Sequence, residues 1–109
     1  MNRYLLHPES IVVVGGSNDI HKPGGKVLKN LIEGKFPGKL YVVNPKESSV
    51  QTIMSFPDVS SLPETDLAII AISAKLVPDA VRTLAHEKNT RAFIVLSAGF
   101  SEVGAEGKV

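Results

Sequence analysis

The residues best suited to act on a ligand are Gly15, Gly16, Ser17 and Asn18. They follow directly on Ile11-Val12-Val13-Val14, and an amphipathic segment opens shortly afterwards at Gly24-Gly25. A buried strand that ends in two glycines and leads into a helix makes a corner suited to phosphate. Glycine has no Cβ, so the chain turns sharply and its N–H groups can approach a ligand closely. The first turn of the helix adds unpaired N–H groups and the positive end of its dipole. Ser17 adds a hydroxyl that can donate to a phosphate oxygen. The chemistry on offer is anion binding rather than bond-making. Cysteine is absent, which removes disulfides, thiolate metal sites and a cysteine nucleophile. His7, His21 and His86 are dispersed without metal-ligand spacing, so no metal is expected. Ser97-Ala98-Gly99 is not a G-x-S-x-G elbow, and no catalytic residue is expected in the chain.

The elements that must hold this corner follow from periodicity. Residues 10–14, 40–43, 66–72 and 92–96 are short branched apolar runs, the pattern of strands covered on both faces. Residues 24–33 carry Val27, Leu28, Leu31 and Ile32 on one helical face, with Gly34 as the expected stop. Residues 77–87 form the second helix, with Pro78 in its first turn. Residues 50–54 supply a weak edge strand. Strands alternating with helices imply right-handed βαβ units and one parallel sheet. The expected fold is a single α/β domain, a Rossmann-like doubly wound sheet with strand order 3-2-1-4-5. Ligands of such sheets sit beyond the carboxyl ends of the strands, where the order reverses. The loops there are 15–25, 44–46, 73–75 and 97–100.

Composition narrows the partners. The 109 residues carry 12 Lys+Arg and 11 Asp+Glu, a net charge of +1. That balance gives no field for nucleic acid or an acidic membrane. No segment is long and apolar enough to span a bilayer, and the cytoplasm is the expected location. NAD(P) is disfavoured. The fingerprint G-x-G-x-x-G reads Gly15-Gly16-Ser17-Asn18-Asp19-Ile20, and Asn44-Pro45 stands where an acidic residue would meet the ribose. No G-x-x-x-x-G-K-[ST] occurs either.

Four segments together resemble a known family: residues 11–17, Gly24-Gly25-Lys26-Val27-Leu28-Lys29-Asn30-Leu31, Tyr41-Val42-Val43-Asn44-Pro45-Lys46, and Ser97-Ala98-Gly99-Phe100-Ser101-Glu102-Val103-Gly104. In this order they resemble the N-terminal CoA-binding domain of NDP-forming acyl-CoA synthetases, such as ADP-forming acetyl-CoA synthetase and the succinyl-CoA synthetase α subunit. The opening Leu6-His7-Pro8-Glu9-Ser10 is similar as well. The resemblance implies coenzyme A as ligand and Gly15, Gly16, Ser17 and Asn18 as the first contact loop. It implies further contacts from Lys39, from Ile72 and Ser73 (the family often has proline at 73), and from Leu96, Ser97 and Ala98. It also implies partners that the chain lacks, namely the phosphohistidine and ATP-grasp domains or subunits of a parent enzyme. This piece is expected to be inert alone and shortened at its C-terminal end. Homo-oligomerisation stays open. Two other readings remain beside it, an NAD(P)-binding oxidoreductase or redox-sensing domain, and a regulatory module that kept the fold and lost the ligand. Gly16→Val is expected to fill ligand space without unfolding the chain, provided Gly16 has an ordinary φ.

Overall fold

The computed structural model describes residues 8–96. Strand β1 (Ser10–Val14) is buried along its whole length, as four consecutive branched residues require. Helix α1 (Pro23–Glu33) follows, then β2 (Lys39–Val43), β3 (Ser49–Val50), β4 (Ile53–Phe56), β5 (Leu67–Ile70), α2 (Val77–Glu87) and β6 (Ala92–Val95). They form one six-stranded sheet of order β3-β4-β2-β1-β5-β6. The chain builds outward from β1 on one side, then returns to pair β5 against the other side of β1. The order therefore reverses between β1 and β5. Register along the centre is continuous, from Ser10 beside Lys39 to Val14 beside Val43, and from Ile11 beside Leu67 to Val14 beside Ile70. All these pairings are parallel, as are β2–β4 and β5–β6. The fold is the expected Rossmann-like α/β sheet.

Among the described residues, each face of the sheet takes one helix. Val27, Leu28 and Leu31 of α1 pack on the face shown by Ile11, Val13, Leu67 and Ile69. Leu84 and Val81 of α2 pack on the face shown by Val12, Val14, Ala68 and Ile70. Alternate residues of a strand point to opposite faces, so β1 and β5 feed both cores at once. Leu28 and Leu84 are fully buried. Each contributes roughly 1.5–3 kcal/mol by leaving water.

One local expectation is corrected. The edge strand expected at 50–54 is a hairpin instead. Ser49 pairs with Met54 and Val50 with Ile53 in antiparallel sense. The two turn residues, Gln51 (φ 49) and Thr52 (φ 73), are both left-handed. That geometry is the tight two-residue turn whose twist suits a hairpin, and it normally selects asparagine and glycine. The Gln-Thr pair carries no such signal, so the turn was hidden. Helix α1 stops at Gly34 as expected, and its left-handed closure falls one residue later. Gly34 keeps a right-handed φ of −77, and Lys35 adopts φ 56. Lys35 N–H donates to the Ile32 carbonyl (3.0 Å) and Phe36 N–H to the Leu31 carbonyl (3.1 Å). This is a Schellman closure with lysine at the position glycine prefers. Phe36 and Leu31 pack into the same cluster, the apolar contact that accompanies such closures.

Candidate functional site

At the carboxyl end of β1 the chain turns at Gly15, whose φ is +93. A side chain there would be strained, and its Cβ would lie 2.3 Å from the Ala71 carbonyl oxygen. Gly15 N–H donates to the Val43 carbonyl (2.9 Å), and Ala71 N–H donates to the Val14 carbonyl (2.8 Å). The turn is thus wedged between the ends of β2 and β5, at the reversal of strand order. A Cβ on Gly16 would meet the Val42 Cγ1 methyl at 2.7 Å, and Val42 is fully buried. Gly16→Val therefore strikes the core, despite an ordinary φ, which corrects the expectation that the fold would tolerate it. Gly24 and Gly25 are needed for close approach too. Their Cβ atoms would stand 2.1 Å from the Gly15 carbonyl oxygen and 2.0 Å from the Asp19 carbonyl oxygen. These four glycines dock the start of α1 onto the turn.

Beyond the wedge the loop offers donors. Ser17 Oγ accepts from Asp19 N–H (2.9 Å), which leaves its own hydroxyl hydrogen to donate. The N–H groups of Ser17, Asn18, Gly24 and Gly25 meet no acceptor among the described residues. The N-cap residue of α1, Lys22, makes no side-chain cap bond. Gly24 and Gly25 are buried, and buried N–H groups normally find partners. An anionic oxygen would satisfy them.

Two side-chain amides fix this loop from below. Asn44, at the end of β2, donates through Nδ2 to the Gly16 carbonyl (2.9 Å). Its Oδ1 accepts from Lys46 N–H (2.8 Å) and Glu47 N–H (3.2 Å). Gln51 donates through Nε2 to the Ser17 carbonyl (2.8 Å) and to the Gly25 carbonyl (2.9 Å). Gln51 N–H donates to Asn18 Oδ1 (2.8 Å). Reading the sequence missed Gln51, because its partners lie 26 to 34 residues away and its hairpin was not foreseen. Asn44 was legible as part of the loop 44–46 and as the absence of an acid, but its bond to Gly16 was not.

The other expected site residues divide. Ile72 lies beside the turn, its Cγ2 2.9 Å from where a Gly15 Cβ would be. Ser73 is exposed and caps a one-turn 3₁₀ helix, Ala74–Leu76. Leu96 N–H extends the ladder by donating to the Ile70 carbonyl (2.7 Å). These three share the carboxyl ends of β5 and β6 with the loop. Ser97 and Ala98 lie outside the described residues. Lys39 is not brought to this end. It pairs with Ser10 at the amino end of the sheet, four strand steps, about 13 Å, from Val43. It lines a cleft with Glu9, Tyr41, Glu64 and Asp66. Lys46 follows the carboxyl end of β2, in an open groove with Asn44, Glu47, Ser48 and Ser55. Among the described residues no cluster of acids and histidines could hold a metal. No described helix is long and apolar enough to cross a membrane.

The chain matches the family described as CoA binding domain over residues 9–106. It is 41% identical over 106 residues to the α subunit of acetate–CoA ligase [ADP-forming] II of Pyrococcus furiosus, covering 96% of this chain and 23% of that one. It is 38% identical over 106 residues to acetate–CoA ligase [ADP-forming] II of Archaeoglobus fulgidus, covering 96% of this chain and 16% of that one. The chain thus spans less than a quarter of either relative. Among solved structures, the dinucleotide-forming acetyl-coenzyme A synthetase 1 of Ca. Korarchaeum cryptofilum, in complex with phosphate and ADP, superposes with a TM-score of 0.82 at 32% identity, over 95% of this chain and 22% of that one. With its family match running over residues 9–106, the chain belongs to the CoA binding domain family.

Proposed function

We propose that this chain binds coenzyme A through its pyrophosphate, as the CoA-binding part of an ADP-forming acyl-CoA synthetase. The observation that carries the reading is the set of unspent donors at the switch point. Ser17 and Asn18 N–H, the Ser17 hydroxyl and the first turn of α1 all lie between the end of β1 and the start of the helix. Oriented N–H groups at a helix start favour a dianionic group over a neutral one. Lys46 adds a cation on the same side, and Ile72 adds an apolar wall for the non-phosphate part of the ligand. Gly15 and Gly16 act through shape, since their N–H groups are already spent on Val43 and Val13. Leu96, Ser97 and Ala98 are assigned to the last contact segment by likeness to the family, and Lys39 leaves the site for Lys46.

CoA presents the thiol that an acyl-CoA synthetase acylates. This chain's part is to bind and orient it, and the chemistry falls to domains or subunits of the parent enzyme that carry the phosphohistidine and the ATP site. Isothermal titration of the chain with CoA, dephospho-CoA and NADH tests the reading. Binding of CoA, weaker binding of dephospho-CoA and none of NADH are expected. Binding of NADH alone, or heat from none of the three, overturns it.

A further inference from the structure

We infer that Gln51 is a positioning residue for the ligand's phosphate, one that aims the loop's N–H groups without touching the ligand. The inference rests on the proposed placement of CoA and goes beyond it. Gln51 occupies a left-handed turn position, with a β-branched threonine in the same region behind it. Glycine or asparagine would close such a turn with less strain. Strained backbone persists where surrounding structure over-determines it, and here three hydrogen bonds do so. Both Nε2 hydrogens are used, one on the Ser17 carbonyl and one on the Gly25 carbonyl. The backbone N–H holds Asn18 Oδ1. One residue therefore ties the turn to the first turn of α1.

Peptide geometry converts this tie into an aim. In a trans peptide the C=O and the following N–H point in opposite directions. Pinning the Ser17 carbonyl toward Gln51 turns Asn18 N–H the other way. Asn44 does the same one peptide earlier, pinning the Gly16 carbonyl and so turning Ser17 N–H outward. Those two N–H groups are among the four without an acceptor among the described residues. With the Gln51 amide removed, the Ser17–Asn18 peptide is free to flip. A flipped peptide would present a carbonyl oxygen to the phosphate.

The test uses the whole chain, labelled with ¹⁵N. CoA is titrated into the parent, Gln51→Leu and Gln51→Glu, with affinity read by calorimetry, the Ser17 and Asn18 amides by NMR, and folding by thermal melt. The parent is expected to bind with both amides shifting. Gln51→Leu is expected to bind about tenfold more weakly, as for one charge-assisted bond lost. Gln51→Glu places a carboxylate against two carbonyls and is expected to bind weakly at pH 7.5. At pH 5 its protonated fraction regains a donor, so its affinity relative to the parent should rise. A merely structural role would not produce that recovery. If Gln51→Leu fails to fold, the pH response of Gln51→Glu decides. Folded variants that bind CoA within twofold of the parent at both pH values refute the positioning role and leave CoA binding intact. A parent that does not bind CoA refutes both.

Discussion

Replacing Gly24 by alanine sets two effects against each other. Alanine is the better helix former, by at most about 1 kcal/mol. Its Cβ, however, would stand 2.1 Å from the Gly15 carbonyl oxygen, 2.8 Å from the Gly15 carbonyl carbon and 3.3 Å from Gly16 Cα. All three are backbone atoms, so no rotamer change relieves the overlap. The start of α1 must retreat from the turn by about 1 Å to restore ordinary contact distances. Overpacking costs about 1–3 kcal/mol. The upper end applies here, because the turn is itself anchored by Gly15 N–H on the Val43 carbonyl. Packing wins, and Gly24→Ala should destabilise the chain by about 2 kcal/mol. For a domain of this size that lowers Tm by roughly 10 °C. Gly34→Ala is the matched control. It lies at the other end of α1 with right-handed φ and ψ, and its nearest atom is the Asn30 carbonyl oxygen at 3.1 Å. It should stay within about 0.5 kcal/mol of the parent. Urea unfolding followed by circular dichroism reads both, since the chain has no tryptophan. A Gly24→Ala variant as stable as the parent would refute the close docking of α1 on the turn, and with it the account of how the loop is aimed.

Three further outcomes are expected. Lys35→Gly relieves a left-handed lysine at the Schellman position and should raise stability by about 1 kcal/mol in the same urea assay; an unchanged midpoint would contradict the closure. Asp58 caps the one-turn helix Val59–Ser61, and hydrogen bonds from the Ser60 and Ser61 side chains, then from their backbone, lower its pKa from the usual 3.8. A lowered folded pKa means stability that is present above the unfolded pKa and fades as pH falls through the folded one. The gap in melting temperature between parent and Asp58→Asn should accordingly close on acidification below pH 4, and a gap constant from pH 6 to pH 2 would be the contrary result. Lys46→Ala should weaken CoA binding about fivefold and flatten its salt dependence, while Lys39→Ala at the far end of the sheet should change neither; the reverse pattern would return Lys39 to the site.

The helices and the central strands were legible because each rests on local pattern. Four branched residues before two glycines can hardly be anything but a central strand and its exit. The β3–β4 hairpin was not legible, because Gln51-Thr52 is a poor turn sequence held by contacts made elsewhere. The glycine loop was legible as a tight strand-to-helix corner. In the structure its glycines make room for Val42, Ala71 and the start of α1. Lys39 stands at the start of β2, as its place in the sequence implies, and its register with Ser10 sets it at the end of the sheet away from the glycine loop.

Asn44 joins two of these threads. It stands where a dinucleotide-binding sheet would carry an acid for the ribose, and its donor is spent on the Gly16 carbonyl. An aspartate there could still accept from Lys46 and Glu47 N–H, but it could not donate to Gly16. Loss of the acid and orientation of the loop are therefore one feature rather than two. Asn44→Asp should free the Gly16–Ser17 peptide and bring a negative charge toward the phosphate, and CoA affinity should fall about tenfold or more. It should not create NADH binding, because Ser17 and Ile20 still stand where that fingerprint needs glycine. Parallel titration of the variant with both ligands measures this directly. Retained CoA affinity would show that the Asn44 bond does not orient the loop. Acquired NADH affinity would show that the acid alone had decided which ligand this corner accepts.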